Sequence, residues 1–409
     1  MHRVFCAAIL AVGLASAFAC RPAITKDSPA TGGANARSVQ DASSEPEETV
    51  GRPPAEAAAD QSVAEDWPLY RGDPQSTGVA RTTLPDDLEV LWRFTVARGA
   101  FEGTPAIVDG VVYIGDLDGR VYALELATGE QKWVHETGSG FTASPAVRDG
   151  RVYIGDFDGR FYCLSAEDGE LVWDYEADAE IDSGANFFGD YVLFGSQDAQ
   201  LYCLDAENGD LIWVHAIDDQ IRCTPTVVEG RCFLGGCDGL LHILRLEDGQ
   251  AEASVPIESP TGVTPAVMGD RVFLGTEGGS LFGIDWRKAE VVWTFAADRG
   301  QAFRSSPAVT DQVVVVGSRN RRVYALDPQT GAELWQFSAR HRVDSSPVIV
   351  GDRVFVASAD GRLYALNLSD GQMRWEFEAG GGFSGSPAVA SNRLVIANTD
   401  GVVYCFGQR

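Results

Sequence analysis

The side chains able to do chemistry are few and scattered. Five histidines occur (His2, His135, His215, His242, His341), one near the start and the others mostly one per copy of a repeat set out below. No His-x-x-x-His, Cys-x-x-Cys or Ser-His-Asp grouping stands out, so neither a metal centre nor a nucleophilic triad is signalled. Eight cysteines are present, and Cys6 and Cys20 fall in the leader. Cys163, Cys203 and Cys405 hold one equivalent strand position and read as small buried apolar residues. Cys223, Cys232 and Cys237 fall in one copy. A hairpin turning at Glu229-Gly230 sets Cys223 near Gly236, which makes Cys223–Cys237 a candidate disulfide in an oxidising compartment. A three-cysteine metal site is the lesser alternative. The expectation is therefore no catalytic, cofactor-binding or metal-binding residue.

Binding chemistry is better represented. Arg304, Arg319, Arg321, Arg322, Arg340 and Arg342 crowd one region, with Arg299 and His341 beside them. Arginine anchors interfaces because it stacks and pairs bidentately with carboxylates. This makes the six arginines candidates for binding a partner protein; the competing account is local ion pairing to Asp298, Asp327 and Asp344. Two rings of recurring residues offer a second possibility. Phe101, Phe141, Ile181, Ile221, Thr261, Phe303, Val343 and Phe383 form an apolar collar. Thr104, Ser144, Gly184, Thr224, Thr264, Ser306, Ser346 and Ser386 follow each of them by three residues. Around a channel mouth such rings could hold a planar ligand. The plainer expectation is that the apolar ring packs neighbouring units and the hydroxyls bond exposed backbone.

The elements that must position these residues come from a repeat. Pro105, Pro145, Pro225, Pro265, Pro307, Pro347 and Pro387 recur at intervals of 40, 80, 40, 42, 40 and 40 residues. The 80 hides a degenerate copy in which Ser183-Gly184-Ala185 stands for Ser-x-Pro, giving eight copies. Each copy reads as four short strands: in 144–175 they fall at 144–147, 151–155, 160–165 and 170–175, separated by Asp-Gly turns. Nothing has a helical apolar period. A period near 40 with strand pattern alone implies an all-β propeller of eight four-stranded antiparallel blades. Trp133, Trp173, Trp213, Trp293, Trp335 and Trp375 mark fourth strands and are read as blade-docking residues. Trp92 marks a fourth strand that precedes any first strand, and the last copy lacks one. The N-terminal strand is therefore expected to close the last blade.

Before the repeat lie two segments without its pattern. Residues 1–19 have a basic start, an apolar run and small residues before Cys20, the form of an export signal. Cys20 resembles the lipid-bearing cysteine of lipoprotein signals, although Ala17 stands where that pattern has leucine. Residues 20–65 are rich in Ala, Pro, Ser and Glu and read as a disordered tether, leaving 66–409 as the propeller. A net charge of −27 argues against nucleic acid and anionic lipid as general partners.

The stretch Trp67–Ala80, WPLYRGDPQSTGVA, and the recurring Ala-Leu-x-x-x-x-Gly-x-x-x-Trp at Ala123–Trp133, Ala325–Trp335 and Ala365–Trp375 carry a resemblance. They resemble the pyrroloquinoline-quinone-like repeat propellers, and among these the BamB-like lipoproteins of outer-membrane protein assembly. The resemblance implies a monomeric, non-catalytic periplasmic scaffold, tethered to the outer membrane and binding periplasmic or outer-membrane proteins. The alternative it implies is a dehydrogenase using pyrroloquinoline quinone and calcium. Such enzymes usually carry long insertions, an adjacent cysteine pair and a cluster of calcium ligands; this chain has no Cys-Cys pair and lean copies.

Overall fold

The computed structural model describes residues 65–97 and 99–409. The leader, Cys20 and the tether up to residue 64 lie outside the described residues. Among the described residues, thirty-two strands form eight four-stranded antiparallel sheets. Blade 1 is Ala106–Val108, Val111–Gly115, Arg120–Glu125 and Gln131–Glu136, paired in that order. Blades 2 to 7 repeat it over 146–176, 186–216, 226–256, 266–296, 308–338 and 348–378. Blade 8 takes Ala388–Ala390, Arg393–Ala397 and Val402–Gly407 from the C-terminus and Glu89–Thr95 from the N-terminal side. Trp92 pairs with Cys405 and Phe94 with Val403, so the expected closure of the ring is present.

Strand bounds differ slightly from the sequence-based ones. In blade 2 the first strand is Ala146–Arg148, two residues later than expected, and the fourth is Leu171–Glu176. Pro145 has no N–H to give a ladder, which delays the pairing. A short 3-10 turn at Asp298–Gly300 also departs from the strand-and-turn pattern. The apolar pattern follows position in the blade. Second and third strands such as Arg151–Gly155 and Arg160–Ser165 are almost wholly buried, because neighbouring blades cover both faces. Fourth strands alternate and expose one side.

A fourth-strand tryptophan docks six of the blades on the next. The indole N–H donates to a carbonyl at the last turn of the following blade: Trp92 to Leu126, Trp133 to Ala166, Trp173 to Ala206, Trp213 to Leu246, Trp293 to Pro328 and Trp335 to Leu368. The ring lies flat against a glycine of that turn; a Cβ on Gly129 would fall 2.6 Å from Trp92. Trp375 faces blade 8, whose third and fourth strands are not joined by a turn, and it packs instead on Phe377 and Phe406.

Backbone bonds define two faces. The turn between second and third strands bonds the connector from the preceding blade, as in Phe157 N–H to Gly140 and Arg319 N–H to Ala302. These turns and connectors form one face, termed the connector face. The turns between first and second strands bond those between third and fourth, as in Ala166 N–H to Gly150, and form the opposite face.

Candidate functional site

First strands surround the axis, and their central amides point inward with no strand to pair. The stretch before Trp92 supplies the partner. Trp67 exchanges both backbone bonds with Ile107 of blade 1. Its successors then accept N–H bonds around the ring: Pro68 from Val147, Pro74 from Val227, Gln75 from Val267, Thr77 from Val309 and Gly78 from Ile349. In blade 3 the contact is the Asn186 amide, which donates to Pro74. In blade 8, Thr82 bonds Asn392. Residues 67–82 thus form a strap that visits all eight blades in sequence order. Arg353, itself buried, holds the exit through the Leu84 and Pro85 carbonyls.

Two strap side chains fill the bore. Tyr70 crosses it: its Cβ lies beside Gly184 of blade 3 and its hydroxyl bonds Ser346 of blade 7 at 2.9 Å. Arg71 is 1% exposed and donates to the Pro307 and Pro347 carbonyls, leaving Nε and Nη1 without protein partners. Burial lowers its pKa to about 10. Gly78, at φ +66°, brings the strap back against the Arg71 guanidinium.

The hydroxyl ring joins the blades. The N–H of Thr104 donates to Ser144, Gly184 to Thr224, Thr224 to Thr264, Thr264 to Ser306, Ser306 to Ser346, Ser346 to Ser386 and Ser386 to Thr104. The one gap is Gly184, where the missing side chain admits Tyr70. Above the ring is a cavity of about 170 Å³, floored by Tyr70 and rimmed by Glu102, Asp182 and Arg222. Asp182 accepts from Arg222 at 3.2 Å, but burial outweighs that charge and raises its pKa to about 6. The apolar collar takes no part in this mouth. Phe101, Phe141, Ile181, Ile221, Thr261, Phe303, Val343 and Phe383 are all buried. They turn away from the axis onto the C-terminal end of the second strand of the preceding blade; a Cβ on Gly115 would fall 2.7 Å from Phe141.

The arginine cluster lies on the connector face. A groove of about 830 Å³ runs between the connector at Asp298–Gln301 and the turn at Arg319–Arg322. Arg319 pairs bidentately with Asp344, which also accepts from Arg342; Arg304 pairs with Glu277, and Arg322 reaches Asp298 at 3.7 Å. Among the described residues, Arg299, Arg321 and Arg340 have no ion pair. Asp327, expected as a partner, instead caps the turn at Gln329 and Thr330.

A family model described as outer membrane protein assembly factor BamB matches residues 77–184, 158–293 and 238–409. The chain belongs to the BamB family. Solved structures agree on the fold. BamB from Moraxella catarrhalis is 21% identical, with a TM-score of 0.69 over 79% of this chain and 98% of that one. Quinohemoprotein alcohol dehydrogenase from Comamonas testosteroni is 15% identical, with a TM-score of 0.74 over 84% of this chain and 81% of that one. Likeness at these identities speaks for the propeller alone. No curated protein sequence matches the chain.

The remaining reactive side chains of this BamB-family propeller lie in its strands and turns. Cys223 and Cys237 are both free, against the disulfide considered above. The Cys223 thiol is buried and donates to Gly235, whereas Cys237 turns toward Thr261 of the next blade. Cys163, Cys203 and Cys405 are buried in third strands, and burial raises each thiol pKa. His242 bonds Asp238 at 2.8 Å, as Tyr162 bonds Asp156 and Tyr202 bonds Asp198 in sister blades. Among the described residues no three His, Cys, Asp or Glu side chains converge as metal ligands. Sequence reasoning took Trp67–Ala80 as the start of the fold and missed its role as the strap. The available signal was a run of turn formers carrying Trp67, Leu69 and Tyr70 with no strand period.

Proposed function

We propose that this BamB-family chain is a non-catalytic scaffold that binds partner proteins through its connector face, in the periplasm and in the service of outer-membrane protein assembly. The observation that carries this reading is Tyr70, laid across the bore from Gly184 to Ser346. With the strap beneath it, the axis is built from the chain's own residues. The fold family also contains quinone-dependent dehydrogenases, and the residues at this mouth do not fit their cofactor. Pyrroloquinoline quinone carries three carboxylates. The rim offers Glu102 and Asp182, and its Arg222 is already bonded to Asp182. The description of the matching family, outer membrane protein assembly factor, supports the assembly role, and the lipoprotein-like Cys20 signal supports tethering to the outer membrane.

The test is a titration of the purified chain with pyrroloquinoline quinone and calcium, followed by alcohol- and sugar-dependent dye reduction. The scaffold reading expects no stoichiometric absorbance change and no turnover. Stoichiometric uptake with dye reduction would make the chain a dehydrogenase.

A further inference from the structure

Resting on the docking reading above, we propose that the groove between Arg299 and Arg321 receives a short acidic segment of a partner protein, whose carboxylates pair with these two guanidinium groups. Comparison among the chain's own blades carries the inference. The residue before each third strand lies in the left-handed backbone region. It is glycine in six blades: Gly119, Gly159, Gly239, Gly279, Gly361 and Gly401, at φ +76° to +90°. Blade 3 has Ala199 at φ +71°, and blade 6 has Arg321 at φ +69°. A long side chain is disfavoured in this region, so Arg321 stands there at a backbone cost that glycine avoids in six sister blades. Across the groove, Arg299 adopts φ +65° as well. Both arginines are exposed, and neither has an ion pair among the described residues, while Arg304, Arg319, Arg322 and Arg342 around them do.

The surrounding charge defines the shape of the partner. The residue preceding each of those turn positions is Asp118, Asp158, Asp198, Asp238, Asp360 or Asp400 in six blades. In blades 5 and 6 it is Gly278 and Asn320. Six of the eight turns thus carry a carboxylate at this position, and the turn of blade 6, which does not, lines the groove, where Asp298 is the carboxylate present. A long polyanion such as a nucleic acid would run onto those carboxylates, whereas a short run of Asp or Glu fits between them.

The experiment is fluorescence anisotropy of a labelled peptide with consecutive aspartates, titrated with the full chain at low and high salt. The same peptide with asparagines and a duplex DNA serve as comparisons. The proposal expects the aspartate peptide to bind in a salt-sensitive way and the asparagine peptide not to bind. Arg299→Gly/Arg321→Gly should lose roughly ten-fold in affinity. Arg321→Gly alone should lower affinity while Tm holds or rises, an outcome that a merely structural arginine would reverse. Equal binding by the double variant, no binding by the wild type, or DNA bound as tightly as the peptide would overturn it. Each of these leaves the quinone titration unaffected, whereas quinone uptake would remove the docking reading itself.

Discussion

Trp286 fills the space that Ala253 leaves between blades 4 and 5. Ala253 stands where the seven other blades carry a tryptophan, and Trp286 enters from the facing turn to pack on Phe233 at a centroid distance of 5.4 Å. Its N–H goes to the Gly269 carbonyl, and Arg231 and Arg287 stack on its ring. The turn residue that is usually glycine is Ala289 here, at φ +54°, because no indole presses on it. The interface has kept its indole and changed the blade that donates it. Trp286→Ala should therefore cost about 3–5 kcal/mol in urea unfolding. Ala253→Trp alone should destabilise by about 1–3 kcal/mol through overpacking. Adding Trp286→Leu and Ala289→Gly should recover most of that loss; no recovery would mean the two tryptophans do not share a site.

The strap depends on Gly78. A Cβ there would fall 2.8 Å from the Arg71 Cζ and 3.2 Å from the Ala308 Cβ, at a φ of +66°. Gly78→Ala should lower stability by about 3 kcal/mol, combining backbone strain and displacement of a buried guanidinium. Thermal melts of the variant measure this. An unchanged Tm would place the Arg71 guanidinium elsewhere.

Asp182 should leave a signature in the pH dependence of stability. Its folded pKa is raised to about 6, chiefly by burial, with Arg222 opposing. Between about pH 4 and 6 the folded chain then holds a proton that the unfolded chain has lost. This contribution makes stability fall as pH rises through that window. His215, whose pKa burial lowers, acts in the opposite direction on its acid side. Comparing wild type with Asp182→Asn at each pH isolates the carboxyl. The wild-type-minus-variant difference in unfolding free energy should decline from pH 4 to 6 and level off above; a flat difference would contradict the shift.

Much of the ring was legible because its information is periodic. The proline spacing, the Asp-Gly turns and the fourth-strand tryptophans recur every 40 residues or so, and the unpaired strand at Trp92 had one place to go. The strap was not legible. Its bonds are made by backbone carbonyls of Pro68, Pro74, Gln75, Thr77 and Gly78, so the side-chain pattern carries no trace of them. The collar packs neighbouring blades, as the plainer expectation had it, but the pocket that receives it was not legible. Phe141 and its equivalents sit at the entry to axial strands, but the glycine or alanine at the C-terminal end of the preceding blade's second strand opens a pocket on the side away from the axis. The arginine cluster was found by composition, yet only geometry separates Arg299 and Arg321 from the four arginines already paired.

Native-state hydrogen exchange on the amides of Val147, Val227, Val267, Val309 and Ile349 tests most directly that the bore is filled by the chain's own strap. These five donate to the strap and to no strand. The account predicts protection comparable to the second-strand amides of the same blades, lost together in Gly78→Ala. Exchange at the rate of an exposed turn amide such as Asp149 in the wild-type chain would contradict it and leave the bore open.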